Sequence, residues 1–228
     1  MDVRDAVASR YSCRAFLPKP VPEATVREIV ERAARAPSGG NLQAWRVYAI
    51  AGERVEALKA QLAPRMGELP KGEGGEYQIF PTDLKEPYRS RRFAVGEQLY
   101  RAIGVAREDR PGRYRQYGKN FQFFGAPVGL FFAIDRAMLP AQWADLGGYI
   151  QTVMVLARGY GLDTCPQQAW ITWQRTIRDF LQLPDALMLF CGMALGYADT
   201  AAPINSWRSV REPLDAFATF QGFDRQAP

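Results

Sequence analysis

Apolar residues recur at helical spacing near the start of the chain. Val3, Ala6 and Val7 predict a short first helix. After Pro22 a longer apolar stripe recurs every three or four residues and predicts a second helix. The members of this stripe are Val26, Ile29, Val30, Ala33 and Ala34. Pro37 and the two glycines that follow it closely end this helix, since both residue types interrupt helical backbone.

Further along, three segments carry strand patterns and several carry helical ones. Residues 45–51 alternate large apolar positions, and 126–135 and 186–198 are nearly continuous apolar runs of the kind found in buried strands. Helical patterns cover 54–62, 93–106, 141–160 and 172–183. Helices and strands therefore alternate irregularly along a single domain, 1–228, which indicates an α+β or mixed α/β fold.

Two segments depart from these periodic patterns. Residues 64–92 are rich in proline, glycine and charge, so we expect a long irregular insertion of the kind that forms lids or binding loops. Residues 213–223 place several phenylalanines on a tail with few partners in its own chain. We expect this tail to pack on a second subunit.

The absence of histidine limits the chemistry more than any other feature of the composition. It excludes Ser-His-Asp triads, Cys-His pairs and histidine-based zinc sites, so we expect no metal site and a bound cofactor that carries the reaction. Three cysteines without metal-binding spacing indicate free thiols in a reducing compartment. The first residues are too charged for a signal peptide and no apolar run is long enough to span a bilayer, so we expect a cytoplasmic protein. The net charge of +5 is modest and favours anionic ligands over nucleic acid.

The chain contains neither a dinucleotide-binding glycine motif nor a P-loop, but four other segments carry candidate chemistry. RYSCRAF at 10–16 places two guanidiniums around a serine, which suits either an anion or a solvated surface. PSGGNLQAW at 37–45 suits either a helix end or close approach to a flat ligand. GLDTCPQQAW at 161–170 is either a helix–strand connection or a set of backbone donors beside a ring. NSWRSVREPLD at 205–215 places two arginines three apart in what is otherwise a charged surface turn.

In this order and spacing, the four segments resemble the FMN-dependent nitroreductase superfamily over almost the whole chain. FFGAPVGLFFAID at 123–135 adds to the resemblance, and residues 99–132 are similar to the bacterial nitroaromatic reductases that include 4-nitrobenzoate reductases. The resemblance implies an α+β fold with a central, mostly antiparallel sheet flanked by helices. It also implies an interlocked homodimer with FMN at the interface and a C-terminal tail that wraps on the partner subunit.

The resemblance assigns cofactor contacts to the same four segments. Arg10, Ser12 and Arg14 hold the FMN phosphate and the edge of the flavin ring, and Arg14 also stabilises the reduced anionic flavin. Arg208 and Arg211 close over the same phosphate. The resemblance implies the remaining contacts for two loops. The first loop reaches the flavin of the other subunit and contributes Pro37, Ser38, Gly39, Asn41 and Gln43. The second loop lies beside N5 and contributes Pro166, Gln167 and Gln168.

The implied reaction is a ping-pong oxidoreduction without a catalytic side chain. NADPH or NADH passes a hydride to flavin N5, and a nitroaromatic then takes electrons in two-electron steps, through nitroso to hydroxylamine. Two alternatives stay open: a reductive dehalogenase-type flavoenzyme of the same superfamily, and a non-catalytic flavin-binding redox sensor. The sequence does not choose between NADH and NADPH, because it carries no Rossmann unit in which to place a ribose or phosphate contact.

Substrate contacts are the least defined part of the resemblance. We expect Phe123, Phe124 and Tyr88 to line the substrate pocket, since aromatic rings stack on nitroaromatic rings. The arginines within 89–92 form either a solvated charge run or an attraction for a carboxylated substrate.

Overall fold

A computed structural model describes residues 1–223 of the chain, and residues 224–228, the end of the predicted domain, lie outside the described part. The α-helices of the described part are α1 (Val3–Ser9), α2 (Glu23–Ala33), α3 (Glu53–Glu68), α4 (Tyr88–Ala102), α5 (Arg110–Gly118), α6 (Pro140–Gly159) and α7 (Gln174–Leu181). The strands are β1 (Trp45–Ala51), β2 (Val128–Asp135), β3 (Asp163–Gln167) and β4 (Leu187–Gly196).

The four strands form one antiparallel sheet in the order β1-β2-β4-β3. β2 and β4 occupy the centre of the sheet and correspond to the two continuous apolar runs, because a strand covered on both faces needs apolar residues at successive positions. The α+β class and the antiparallel sheet predicted from the sequence are therefore confirmed.

The sheet carries a hydrophobic core on each face. Leu130 and Phe132 of β2 pack with α2 and α6, whereas Phe131 faces α3 and α7. Successive residues of a strand point to opposite faces, so a single strand contributes to both cores. The long apolar helix predicted over 141–160 is confirmed as α6, which supplies six buried residues to the first core: Leu146, Tyr149, Ile150, Val153, Met154 and Ala157.

The predicted bounds of the irregular insertion, 64–92, are wrong at both ends. α3 continues through Pro64 to Glu68, and α4 already begins at Tyr88. A proline inside a helix removes a hydrogen bond, but here the turn that contains it is held by tertiary contacts. Arg65 forms an ion pair of 2.7 Å with Glu73 and lies over the Trp173 ring. The irregular segment is thus 69–87.

Three other expectations change in the structure. β3 and α5 were not predicted, and β3 contains Pro166, a residue that sheets accept on edge strands. The apolar stripe of α1 does not form core, since Val3 and Val7 are 67% and 53% exposed and only Ala6 is buried. Val3 is therefore available for contacts beyond a single chain, whereas Val7 lines the cleft described below.

The three cysteines are free, as the sequence predicted, and all three are buried. Burial raises the pKa of Cys13 and Cys191 to about 12, so both thiols stay protonated at neutral pH. Within residues 1–223, no helix combines the length and apolarity that crossing a bilayer requires. The cytoplasmic location stays a prediction.

Candidate functional site

A cleft of about 570 Å³ opens where the beginning and the end of the described chain meet. Residues 10–14 line one side, and residues 204–211 line the other. The walls are completed by Val7 and Ala8 of α1, Val95 of α4 and Gln151 of α6. All five residues predicted to hold a phosphate line this one cleft: Arg10, Ser12, Arg14, Arg208 and Arg211.

The backbone around Ser12 is fixed by β3 and by the residue that follows β4. The Cys13 N–H donates to the carbonyl oxygen of Thr164 at 3.0 Å, and the Leu17 N–H donates to that of Tyr197 at 2.8 Å. Extended backbone sends successive side chains to opposite sides. Cys13 therefore enters the core with no exposed surface, while Ser12 lines the cleft.

Asn205 joins the two walls of the cleft. Its side chain is buried, and its Oδ1 accepts the backbone N–H of Arg14 at 2.9 Å. Its Nδ2 donates to the carbonyl oxygens of Ala15 and Asp199, both at 2.8 Å. Three hydrogen bonds from one buried amide thus set the position of residues 14–15 relative to the C-terminal wall.

The cleft is strongly positive. Within residues 1–223, no carboxylate forms an ion pair with Arg10, Arg14, Arg208 or Arg211. Burial lowers the pKa of Arg10, and repulsion from Arg211 lowers it further. Guanidiniums that repel one another at a partly buried position are stabilised by an anion between them, which is the environment that a phosphate needs.

Two aromatic residues of the cleft were not singled out from the sequence. The Arg208 guanidinium lies 3.7 Å above the Tyr11 ring and donates to the carbonyl oxygen of Asn205 at 2.9 Å. Burial raises the pKa of Tyr11, so its hydroxyl stays protonated. Trp207 also lines the cleft, and within the described residues its Nε1–H is buried without a hydrogen-bond acceptor. A buried donor without a partner is uncommon and marks a place where a ligand oxygen would be stabilised.

A buried ion pair supports the same region from behind. Arg158 of α6 donates to Asp163 of β3 at 2.6 Å and to the hydroxyl of Ser9 in α1 at 3.3 Å. Burial raises the pKa of Asp163, and Arg158 acts in the opposite direction. The pair ties α6, β3 and α1 together beneath the cleft.

The predicted loop at Pro37–Gln43 lies outside this cleft. Ser38 Oγ accepts the backbone N–H of Gln43 at 3.0 Å, and the Gly39 N–H donates to Asp145 of α6 at 3.0 Å. Gly40 has a φ of 58°, in the left-handed region that glycine adopts without strain. Pro37, Gly39, Asn41 and Gln43 are exposed in the single chain. Their contact with the flavin of a second subunit stays a prediction.

The predicted segment Pro166–Gln168 ends β3. Gln167 is almost fully buried, with Nε2 donating to the carbonyl oxygen of Asn120 at 2.7 Å and Oε1 accepting from Trp170 Nε1 at 3.3 Å. Its side chain is therefore engaged inside the protein, and only its backbone is left for a ligand. Gln168 is exposed and Pro166 is partly exposed.

The rings of Phe123 and Phe124 are buried in the core of the single chain, and their substrate contact stays a prediction. Their φ values of 49° and 53° turn the backbone so that the Phe123 ring packs 4.7 Å from the Trp170 ring. Gly129 makes room for it, since a Cβ there would lie 2.3 Å from the Phe123 ring. Tyr88 is 60% exposed at the start of α4, outside the cleft, and its substrate contact stays a prediction.

Sequence comparison places the chain among known proteins. The sequence model of the Nitroreductase family matches residues 7–197. The chain is 42% identical to the 4-nitrobenzoate reductase of Pseudomonas putida over 224 residues, which cover 98% of this chain and 97% of the relative.

Solved structures show the same relationship. The chain superposes with a TM-score of 0.94 and 45% identity on the FMN and NADPH-dependent nitroreductase NfnB from Sphigopyxis sp. strain HMH, over 98% of this chain and 100% of that one. It superposes with a TM-score of 0.91 and 28% identity on the FMN-dependent nitroreductase NfnB from Mycobacterium smegmatis in complex with NADPH, over 96% and 97% of the two chains. The match of sequence, length and fold leads to one conclusion: the chain belongs to the nitroreductase family.

Proposed function

We propose that this protein is an FMN-dependent oxidoreductase that uses NADPH or NADH to reduce nitroaromatic compounds. The observation that carries the proposal is the cleft of residues 10–14 and 204–211, where four arginines converge without a carboxylate counter-charge in the described chain. The family membership and the nitroreductase names of the relatives support the same activity.

The residues of the cleft suit the phosphate end of FMN. Arg10 and Arg211 repel one another in its absence, and a phosphate dianion removes that repulsion. Ser12 and the unpartnered Trp207 Nε1–H are further donors in the same walls. We assign Arg14 to the edge of the flavin ring, where positive charge stabilises the anionic reduced state.

When bound, FMN supplies hydride transfer, so the chain needs no histidine, nucleophile or metal for the reaction. The protein residues bind the cofactor, orient it and set the electrostatic potential around it. The nicotinamide and the nitroaromatic then use one binding face in turn, which gives ping-pong kinetics.

The same proposal includes a homodimer. Large apolar side chains of the C-terminal tail are exposed in the single chain, with Phe217, Phe220 and Phe223 between 62% and 74% exposed. A largely apolar groove of about 530 Å³ follows edge strand β1 and helix α2, and an unpaired strand edge is a surface that another chain covers. We assign this groove to the tail of a second copy, with the loop at 37–43 contributing to that copy's flavin site.

The visible absorption spectrum of the purified protein tests the proposal. We expect flavin bands near about 370 and 450 nm that bleach with anaerobic NADPH and return with 4-nitrobenzoate. A protein that stays colourless after FMN is added would overturn the cofactor assignment. Reduction by NADPH without reoxidation by any nitro compound would instead favour the dehalogenase or the sensor.

A further inference from the structure

A second cleft lies on the opposite side of α4. Its volume is about 590 Å³, and it is formed by residues 81–84 of the irregular segment, by α4, and by side chains around α5. Val95 faces the first cleft, whereas the neighbouring Phe93 and Gly96 face the second, so α4 is a wall common to both. Four arginines and two carboxylates line the second cleft: Arg89, Arg92, Arg107, Arg113, Asp83 and Glu97.

Two of these arginines already have partners and two do not. Arg89 pairs with Glu86 and Arg113 pairs with Glu97, both at 2.8 Å. Within residues 1–223, neither Arg92 nor Arg107 takes part in an ion pair. The cleft therefore holds two cations outside the ion pairs of the described chain and one carboxylate, Asp83, that is also outside them, which leaves an excess of positive charge.

Aromatic rings hold these two cations in place. The Arg92 guanidinium lies 4.0 Å from the centre of the Phe80 ring, and that of Arg107 lies 5.0 Å from the centre of the Phe93 ring. A guanidinium stacked on a ring keeps its N–H groups free at its edges, where they bind phosphate or carboxylate oxygens. The exposed Phe93 adds apolar surface for a planar group beside the anion.

The size and charge of the cleft indicate which reactant of the proposed function suits it. A nitroaromatic must lie against the flavin to be reduced, and a single substituted benzene ring would leave most of 590 Å³ empty. A ligand that fills this cleft while reacting at the flavin must be long and must carry an anion far from its reacting end. NADPH has this form, because its 2′-phosphate is on the adenosine, remote from the nicotinamide.

We propose that the second cleft binds the 2′-phosphoadenosine half of NADPH, with Arg92 and Arg107 holding the 2′-phosphate. This rests on the proposed function and adds to it the choice of reductant. NADH lacks the 2′-phosphate, so the enzyme discriminates against NADH through these two residues.

Binding of nucleotide fragments tests the assignment without turnover. In calorimetric titration of the FMN-loaded protein, adenosine 2′,5′-bisphosphate should bind at least about tenfold more tightly than adenosine 5′-monophosphate, since it adds charge-assisted hydrogen bonds. Arg92→Gln and Arg107→Gln should each remove most of this difference. In steady-state assays the same variants should raise the KM for NADPH about tenfold and leave the KM for NADH unchanged.

Arg101→Gln is the matched control, because Arg101 is exposed on the same helix but outside the lining of the cleft. Equal binding of the two fragments to the wild type would overturn the proposal. So would variants that raise the KM for 4-nitrobenzoate and not for NADPH, since the cleft would then serve the carboxylated oxidant.

The failure of this inference is distinguishable from the failure of the proposed function. A protein that binds FMN and reduces nitro compounds but shows no preference for the bisphosphate contradicts only the assignment of the second cleft. A protein that selects the bisphosphate but never binds FMN supports the cleft and contradicts the reductase.

Discussion

At the scale of single residues, the phosphate cleft depends on one buried amide as well as on its arginines. Asn205 places the backbone of Arg14 and Ala15 against the C-terminal wall through hydrogen bonds of 2.8 to 2.9 Å. Asn205 is not one of the predicted cofactor contacts and does not line the cleft, so its role is to position the residues that do.

Asn205→Ala should weaken FMN binding about 10- to 100-fold, because three hydrogen-bonding groups lose a buried partner and the arginine-bearing segments separate. Riboflavin lacks the phosphate, and its affinity should change less than about threefold. Fluorescence titration of the flavin-free protein with both flavins measures the two affinities.

Ser206→Ala serves as the control for this comparison, since among residues 1–223 the Ser206 hydroxyl bonds only to the nearby carbonyl oxygen of Pro203. An equal loss of FMN and riboflavin affinity in Asn205→Ala would show that the residue supports the fold in general and has no specific role at the phosphate.

A second residue-scale prediction concerns the packing of Phe123. Gly129→Ala would place a Cβ 2.3 Å from the Phe123 ring, which already packs 4.7 Å from the Trp170 ring. Overpacking of this kind costs about 1–3 kcal/mol of the free energy of unfolding. Denaturant unfolding checks the value.

Gly67→Ala is the comparison variant, because a Cβ at this exposed position of α3 meets no atom within 4 Å. It should be neutral or stabilising by up to about 1 kcal/mol. A Gly129→Ala protein as stable as the wild type would show that the Phe123 side of the core can relax.

At the scale of elements, the irregular segment 69–87 is anchored at its first half. The Glu73 N–H donates to the carbonyl oxygen of Thr172, and the Glu73 carboxylate accepts from the hydroxyl and the N–H of Thr176 at 2.7 and 3.1 Å. Arg65 completes the contact. Any lid movement of this segment is therefore expected in the second half, beside the cleft that we assign to the phosphoadenosine.

The Glu73 contact should give a pH-dependent stability. Burial acts to raise the pKa of Glu73, but the hydrogen bonds from Thr176 and the charge of Arg65 outweigh it, and the net pKa is lowered. A lowered carboxyl pKa stabilises the fold above the unfolded value of about 4.3, and this contribution disappears as the pH falls through the folded pKa. Glu73→Gln should cost about 1.5–3 kcal/mol at neutral pH and progressively less under acid conditions.

Thermal and denaturant unfolding between neutral and acid pH measure this difference. Glu31→Gln, at an exposed position of α2 outside the ion pairs of the described residues, should show no such dependence. A Glu73→Gln cost that stays constant with pH would mean that the ionised carboxylate is not what stabilises the contact.

Helices and strands with a regular spacing of apolar residues were predictable, and those defined by tertiary contacts were not. β1, β2, β4, α2 and α6 follow directly from apolar spacing. β3 escaped prediction because Pro166 conceals its strand pattern, and the end of α3 escaped because Arg65 and Glu73 hold a turn that proline disfavours. The spacing of apolar residues along the sequence carries no information about tertiary contacts such as the ion pair between Arg65 and Glu73.

Within the candidate site, too, some residues were predictable from the sequence and others were not. Arg10, Ser12 and Arg14 carry a recognisable motif, and the structure brings them to one cleft with Arg208 and Arg211. Asn205 and the unpartnered Trp207 have no local signature, because their importance depends on segments far away in sequence. The burial of Phe123 was not predictable either, since an aromatic residue in a motif has the same letter whether it faces ligand or core.

At the scale of the whole molecule, the single chain exposes more apolar surface than it can cover. Phe217, Phe220 and Phe223 protrude, and the groove along β1 and α2 is uncovered. Both observations are explained if two copies exchange their tails, as the proposed homodimer requires.

Replacing the three tail phenylalanines by serine should weaken dimerisation at least about a thousandfold, because each buried ring contributes about 1.5–3 kcal/mol. Sedimentation velocity over a range of concentrations measures the change, and FMN binding should fall with it. Leu139→Ser, at a position 68% exposed outside the tail and the groove, should leave the association unchanged. A triple variant that stays fully dimeric would show that the tail is not part of the interface.

The hydrogen bond between Asn205 and Arg14 joins positions 191 residues apart. Contacts of such long range require most of the intervening chain to be in place, and they form late because the loop they close is costly in entropy. The phosphate cleft should therefore be assembled after the central sheet during refolding. FMN capture then reports the last stage of folding, whereas circular dichroism follows the earlier appearance of helices and strands.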